Sequence, residues 1–285
     1  MDRVHEGVKH FRERVFPTHR ELFEDLADGQ NPAVLFITCA DSRVDPSLIT
    51  SSPPGTLFVL RTAGNLIPPY RSAPSGEAAT VDYAIRALKV RHIVVCSHSN
   101  CGAMAHLMKG QGGNTPVDDW LEQAASVRVS ALTHYPDARG ADLAEAAGYL
   151  NALAQLENLR TWPEVRNAEV SGEVQLHAWM YQIPTGSILA FDKDKGGFVP
   201  LEEAGTEQPL LEDLSTWSAV LNNVGSRTDA VCDAIVKITS WPRREVMQLL
   251  ASTPLQLLTG LSHIEAEVVE TWLTEAGASV DIRRE

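Results

Sequence analysis

The chain has 285 residues, 44% apolar and 21% charged, with a formal net charge of −13. That length supports one large core or two smaller ones, and an acidic balance with no stripe of Lys and Arg excludes a nucleic-acid footprint. No stretch approaches the ~20 apolar residues of a membrane span and no charged segment leads into an apolar run at the start, so a cytoplasmic protein with neither membrane nor nucleic-acid partners is expected.

In chain order, residues 4–28 are predicted helical, with Arg/Glu-rich faces and a stop at Gly29. Residues 33–38 and 56–61 read as buried strands, the second following the turn Pro53-Pro54-Gly55. Residues 77–90 carry apolar side chains at helical spacing, and residues 92–96 form a third apolar strand. Strands that are apolar on both faces and alternate with helices predict an α/β fold, a mainly parallel sheet covered by helices, with its sites at the carboxyl ends of the strands. Residues 103–108, 118–132 and 142–160 are predicted helical, and the Gly-rich loop at 110–114 lacks the Gly-Lys-Ser/Thr ending of a phosphate loop. Residues 173–183 and 187–191 read as a strand hairpin around Pro184 and Gly186. Residues 205–213 are the expected linker between a first domain, 1–204, and a second, 214–285, with few contacts crossing. The second domain reads as strand, three helices and a closing strand at 278–282.

Two residue clusters carry chemistry, and each follows an apolar strand. Cys39, Asp41 and Arg43 follow residues 33–37, while His98 and Cys101 follow residues 93–96. Together they offer two thiolates and an imidazole, with a carboxylate beside a fork-shaped guanidinium. Three protein ligands are what a catalytic zinc keeps when its fourth position must stay free, whereas a structural site fills all four. Metal-assisted hydration or hydrolysis is expected. The other two of the four cysteines, Cys96 and Cys232, lie in apolar surroundings and read as small buried hydrophobes. The remaining histidines lack ligand spacing to the clusters and read as structural or solvated.

Across residues 15–201 the combination of Cys39-x-Asp41-Ser-Arg43, Arg61-x-Ala-Gly-Asn65 and His98-Ser-x-Cys101-Gly102 resembles the beta class of carbonic anhydrases. Trp120-Leu121 and the stretch from Leu176 through Trp179 and Tyr181 resemble its bacterial, cyanate-associated branch. The resemblance implies that Cys39, His98 and Cys101 bind Zn2+, and that Asp41 with Arg43 forms the dyad beside a water ionised at the metal. The substrates would be carbon dioxide and bicarbonate, and the enzyme a zinc lyase. It also implies Phe58 and Tyr83 as pocket walls, the Gly102 backbone N–H as a further contact, and Gln30 reaching a neighbouring subunit's site in a homodimer or higher homo-oligomer. Some members of the class hold the aspartate on zinc and bind regulatory bicarbonate with a tryptophan three residues before the first cysteine. Phe36 occupies that position here, with Thr38 nearby, so this regulation is expected to be absent.

Residues 217–284 resemble the C-terminal domain of the bacterial ribosomal stalk protein, through Asp229 to Thr239, Arg243-Arg244-Glu245-Val246 and Glu275-Ala-Gly277-Ala278. The factor-binding Gly-Leu-Gly-Leu-Lys-like segment of that family is replaced by Ser240-Trp241-Pro242-Arg243-Arg244. An interaction or assembly module of unknown partner is therefore expected. Two alternatives to carbon dioxide hydration use the same residues: a carbon disulfide or carbonyl sulfide hydrolase, and a zinc-stabilised adaptor without catalysis. The Asp41 and Arg43 pair favours an enzyme, since an adaptor has no use for it.

Overall fold

The computed structural model describes residues 1–70, 75–110, 115–204, 217–239, 241–261 and 263–284. Its larger sheet comprises Val34–Cys39 (β1), Leu57–Thr62 (β2), His92–His98 (β3), Gln175–Gln182 (β4), Ser187–Asp192 (β5) and Gly197–Pro200 (β6). The spatial order is β2-β1-β3-β4-β5-β6, parallel from β2 to β4 and antiparallel through β5 and β6. β1 and β3 are rich in β-branched residues and buried along almost their whole length, as central parallel strands must be. Both run further than the sequence pattern predicts, so that Cys39 and His98 become the last residues of their strands.

One face of this sheet packs under the helices Gly76–Arg86, Gly140–Arg160 and Pro163–Val170, where Leu35, Ile37, Val81, Ile93, Leu159 and Leu176 form the main core. The opposite face holds a smaller cluster of Phe36, Val94 and Cys96. Leu57, Trp179 and Tyr181 are only half-buried against it, beside Ile49 of the short helix Pro46–Ile49.

Several elements differ from the sequence-based expectation. The helix predicted over 4–28 is interrupted, because Pro17 has no N–H to donate into the ladder. The chain passes through a π turn at Phe11–Val15 and a 3₁₀ turn at Phe16–His19 before Arg20–Ala27 resumes the helix. The segment 118–132 is two helices, Pro116–Glu122 and Ala125–His134, divided where Ala124 leaves helical geometry (φ −102°, ψ 21°). The loop at 110–114 and the linker at 205–213 fall wholly or largely outside the described residues.

The second sheet is antiparallel, with Trp217–Asn223 (β7) between Leu255–Leu261 (β8) and Ser279–Arg284 (β9). Its helices are Thr228–Thr239, Arg243–Leu249 and His263–Ala276, so the order is strand, helix, helix, strand, helix, strand. β8 was not anticipated: a short Leu-rich run has no periodicity that separates strand from buried helix. Ala125 and Val129, from a helix of the first unit, belong to the same apolar core as Leu221, Val231, Ile235 and Leu273 of the second. That contact is apolar and built in, against the expectation of a sparse boundary. Among the described residues, no helix is long and apolar enough to cross a membrane.

On the adjacent strands β3 and β4, His92 Nδ1 and His177 Nε2 lie 3.2 Å apart. Burial, and then the neighbouring His92, push the pKa of His177 down to about 4. Between about 6.5 and that value, the unfolded chain binds a proton that native His177 refuses, so stability rises with pH across the window. The expected outcome is a fall in Tm from pH 7 to pH 5 that is smaller in His177→Gln, measured by thermal unfolding of both proteins. Equal falls in the two would exclude His177 as a contributor.

Candidate metal centre

β1 and β3 are hydrogen-bonded neighbours in register through Thr38 and Cys96. Their carboxyl ends therefore set Cys39 and His98 side by side. Asn100, in a left-handed conformation (φ 55°), turns the chain after β3 so that Cys101 becomes the N-cap of the helix Gly102–Lys109. The two sulfurs and a ring nitrogen of His98 all lie within 4.8 Å of one another, and all three residues are buried.

The donor set fits a zinc ion. His98 Nδ1 is 2.9 Å from the Ser99 carbonyl, which can only accept, so the proton sits on Nδ1 and the Nε2 lone pair is free. Nε2 is buried and has no hydrogen-bond partner. Cys39 is the more acidic thiol of the pair. Its pKa is lowered chiefly by the Cys101 thiol, against the opposing effect of burial, and further by the backbone N–H groups of Asp41 and Gly64. Cys101 moves the opposite way, because it shares that proton with Cys39 and is buried.

Beside the cluster, Arg43 grips Asp41 with both arms of its fork: Nε donates to Oδ1 at 2.9 Å and Nη2 to Oδ2 at 2.7 Å. The Arg43 backbone N–H adds a third bond to Oδ1 at 3.0 Å. These bonds hold the Asp41 carboxyl well below the usual carboxylate range. Asp41 Oδ2 stands 3.9 Å from His98 Nε2, so the carboxylate borders the metal position while its guanidinium partner is half-exposed.

A role for Arg61 was not foreseen, although its motif was singled out. Arg61 Nε donates to the Cys39 carbonyl at 3.2 Å and Nη2 to the Asp41 carbonyl at 2.7 Å, fixing the backbone between ligand and dyad. The predicted pocket residues divide. Gly102 adjoins Cys101 and is exposed, with open space where a Cβ would stand. Phe58 pairs with Leu35 in the sheet, four residues before Thr62, which is the partner of Cys39. It is therefore set back along the strand by roughly 13 Å. Its ring meets that of Tyr83 at 5.9 Å, and Tyr83 is half-exposed. Phe58 and Tyr83 thus do not wall the cluster of their own chain, and Gln30 is exposed beyond the helix Arg20–Ala27. Phe36 is buried edge-on against Trp179 (5.9 Å), and the Thr38 hydroxyl is committed to the Cys96 carbonyl at 2.8 Å.

The carbonic anhydrase family profile matches residues 34–188. A carbonic anhydrase of Synechococcus elongatus is 44% identical over 212 residues, which cover 73% of this chain and 78% of that one. The solved structure of the beta-carbonic anhydrase CcaA is similar with a TM-score of 0.68 at 47% identity, covering 70% of this chain and 98% of its own. Tetrameric beta-carbonic anhydrases from Sordaria macrospora superpose with a TM-score of 0.62 at 26% identity, over 70% of this chain and 100% of theirs.

The donor set leads to a stoichiometric expectation. Purified protein should carry one zinc per chain, and Cys39→Ala, His98→Ala and Cys101→Ala should each lose most of it by elemental analysis. Full zinc in Cys101→Ala would remove that residue from the site.

Proposed function

The chain belongs to the beta-class carbonic anhydrases, zinc lyases that interconvert carbon dioxide and bicarbonate, and we propose that Cys39, His98 and Cys101 hold its metal while Asp41 and Arg43 form its catalytic dyad. The observation that carries this assignment is the buried trio of ligand atoms with an arginine-clamped carboxylate at its edge. Bound there, zinc supplies Lewis acidity that brings the pKa of water down to about 7.

The chain's own groups do the rest. Asp41, kept ionised by Arg43, can accept a hydrogen bond but cannot donate one. It therefore holds the attacking water with its proton toward the carboxylate and a lone pair toward the carbon of the substrate. Arg61 and Arg43 restrict the motion of that carboxylate, since one fixes its backbone and the other its head. The N–H groups directed at Cys39 offset the cost of burying negative sulfur.

The working unit is a homodimer or a larger assembly of copies. Val59 on the edge strand β2 is exposed, the sheet face around Trp179 and Tyr181 is half-buried, and the helix Asp2–His10 buries none of its residues while Val4 and Val8 are exposed. Phe58, Tyr83 and Gln30, remote from the cluster of their own chain, would then serve a second copy's site. Free cysteines support a cytoplasmic setting, as reducing compartments favour thiols. The division into 1–204, a linker at 205–213 and a stalk-like unit at 214–285 is supported by the separate sheet of the second unit. Its helices Thr228–Thr239, Arg243–Leu249 and His263–Ala276 carry the segments of the stalk resemblance. Its role is assembly or interaction.

Stopped-flow hydration of carbon dioxide by metal-quantified protein tests the assignment, with carbon disulfide and carbonyl sulfide as competing substrates. Asp41→Ala should keep its zinc and lose turnover on the order of 10²-fold, the scale of a positioned proton-handling group. Wild-type turnover in that variant would refute the dyad. Deleting 205–285 should leave the zinc content and hydration of the remaining chain within about tenfold of normal while lowering its Tm, because Ala125 and Val129 lose their cover. A larger loss of rate in soluble, zinc-loaded protein would mean that the second unit shapes the site.

A further inference from the structure

The three residues of the cluster are not held equally. Cys39 and His98 end strands, and the ladders fix them: Thr38 and Cys96 are partners across β1 and β3, and His98 is the partner of Tyr181 on β4. Cys101 lies past the end of the sheet, so its position depends on the turn between. Ser99 is still tied to the β4 end, its N–H donating to the Tyr181 carbonyl at 2.9 Å and its Oγ accepting from the Ile183 N–H at 3.0 Å. Asn100 comes next, exposed and left-handed (φ 55°). That conformation is disfavoured for a residue with a Cβ and persists where surrounding contacts hold it.

The hold comes from the other loop. Arg43 Nη2 donates to the Asn100 carbonyl at 3.0 Å and to Asp41 Oδ2 at 2.7 Å, while Nε donates to Asp41 Oδ1 at 2.9 Å. Among the described residues, no other side chain donates to that carbonyl. A guanidinium is a rigid planar fork, so the three bonds fix one another's direction. The Asn100 carbonyl shares a planar peptide with the Cys101 nitrogen, and a donor on that oxygen sets the plane from which Cys101 departs. One side chain thereby joins the loop that carries Cys39 to the turn that carries Cys101.

We propose that Arg43 has a second function as a positioning residue: through the Asn100 carbonyl it braces Cys101 for the metal, independently of its pairing with Asp41. This rests on the reading of Cys101 as a zinc ligand. The brace is separable from the charge and from the dyad. Lysine keeps the charge but concentrates its donors on one atom, without the fork that spans carboxylate and carbonyl. Asp41→Asn removes the carboxylate charge and leaves the donor to Asn100 in place.

The test uses full-length protein, read by chelator competition for zinc and by amide hydrogen exchange of residues 99–104 in the zinc-loaded state. Arg43→Lys should bind zinc about 10-fold more weakly, the low end of the loss seen when partners of metal ligands are removed, and residues 99–104 should exchange faster. Asp41→Asn should match the wild type in both readouts. A folded Arg43→Lys with unchanged zinc affinity and unchanged exchange overturns the proposal. Equal losses in Arg43→Lys and Asp41→Asn also overturn it, because the pairing with Asp41 would then be what holds the turn. If Arg43→Lys does not fold, Arg43→Gln is read in the same way. Cys101→Ala tests the premise separately: wild-type zinc affinity in that variant means that Cys101 is not a ligand and the brace has nothing to hold. If Cys101→Ala loses zinc while Arg43→Lys does not, the proposal alone falls.

Discussion

Two cysteine sulfurs and an imidazole buried within 4.8 Å of one another impose a condition on everything around them. Negative sulfur away from water is costly unless donors face it. The backbone supplies some of them. Backbone N–H groups of Asp41 and Gly64 help to lower the pKa of Cys39, and those of Ala103 and Met104, at the free end of a helix, oppose the rise at Cys101. The left-handed residues Gly64 and Asn100 and the N-cap position of Cys101 shape the backbone around these sulfurs.

The loop that presents Gly64 is in turn tied to the long helix Gly140–Arg160. Asn151, Gln155 and Asn158 lie one turn apart on its buried or half-buried side, and their amides bond the Gly64 carbonyl, the Ile67 N–H and the Ile67 carbonyl. Gln155 also donates to Asn151 at 2.9 Å, so the ladder is closed internally. Each bond is worth about 1 kcal/mol net, while an orphaned partner in the same place costs about 1–3 kcal/mol. Such a network selects one loop conformation more than it adds stability. That is what a site built from backbone donors requires.

Among the described residues, one helix shares its apolar residues between the two units. Ala125–His134 packs on the catalytic unit with one side and enters the core of the second unit with Ala125 and Val129. The helix just before it, Pro116–Glu122, carries Trp120, and Glu122 there is raised in pKa by burial and then by the nearby carboxylates of Asp119 and Glu245. Glu245 belongs to the second unit, so carboxylates of the two units lie near one another beside the helix that carries Trp120.

The ligand trio, the dyad and the parallel strands were legible in the sequence because each depends on local order. Apolar runs define strands buried on both faces, strand ends define site positions, and Cys39, Asp41 and Arg43 need only a two-residue alternation to be neighbours. Cys96 and Cys232 were likewise readable from their apolar surroundings, and both are fully buried. Contacts across sequence distance were not legible. The interruption at Pro17 was visible as a residue, but the three-phenylalanine cluster of Phe11, Phe16 and Phe23 that accommodates it depends on the bent path. β8 could not be told from a helix because pairing with β7, not periodicity, makes it a strand. Arg61 on the carbonyls of Cys39 and Asp41, Trp120 on Ala63, and Phe58 set back from the cluster follow from strand register and helix packing. The sequence determines which groups can do the chemistry. The tertiary structure alone decides which backbone donors and carbonyls face them, since every residue carries those groups and only the fold gives them direction.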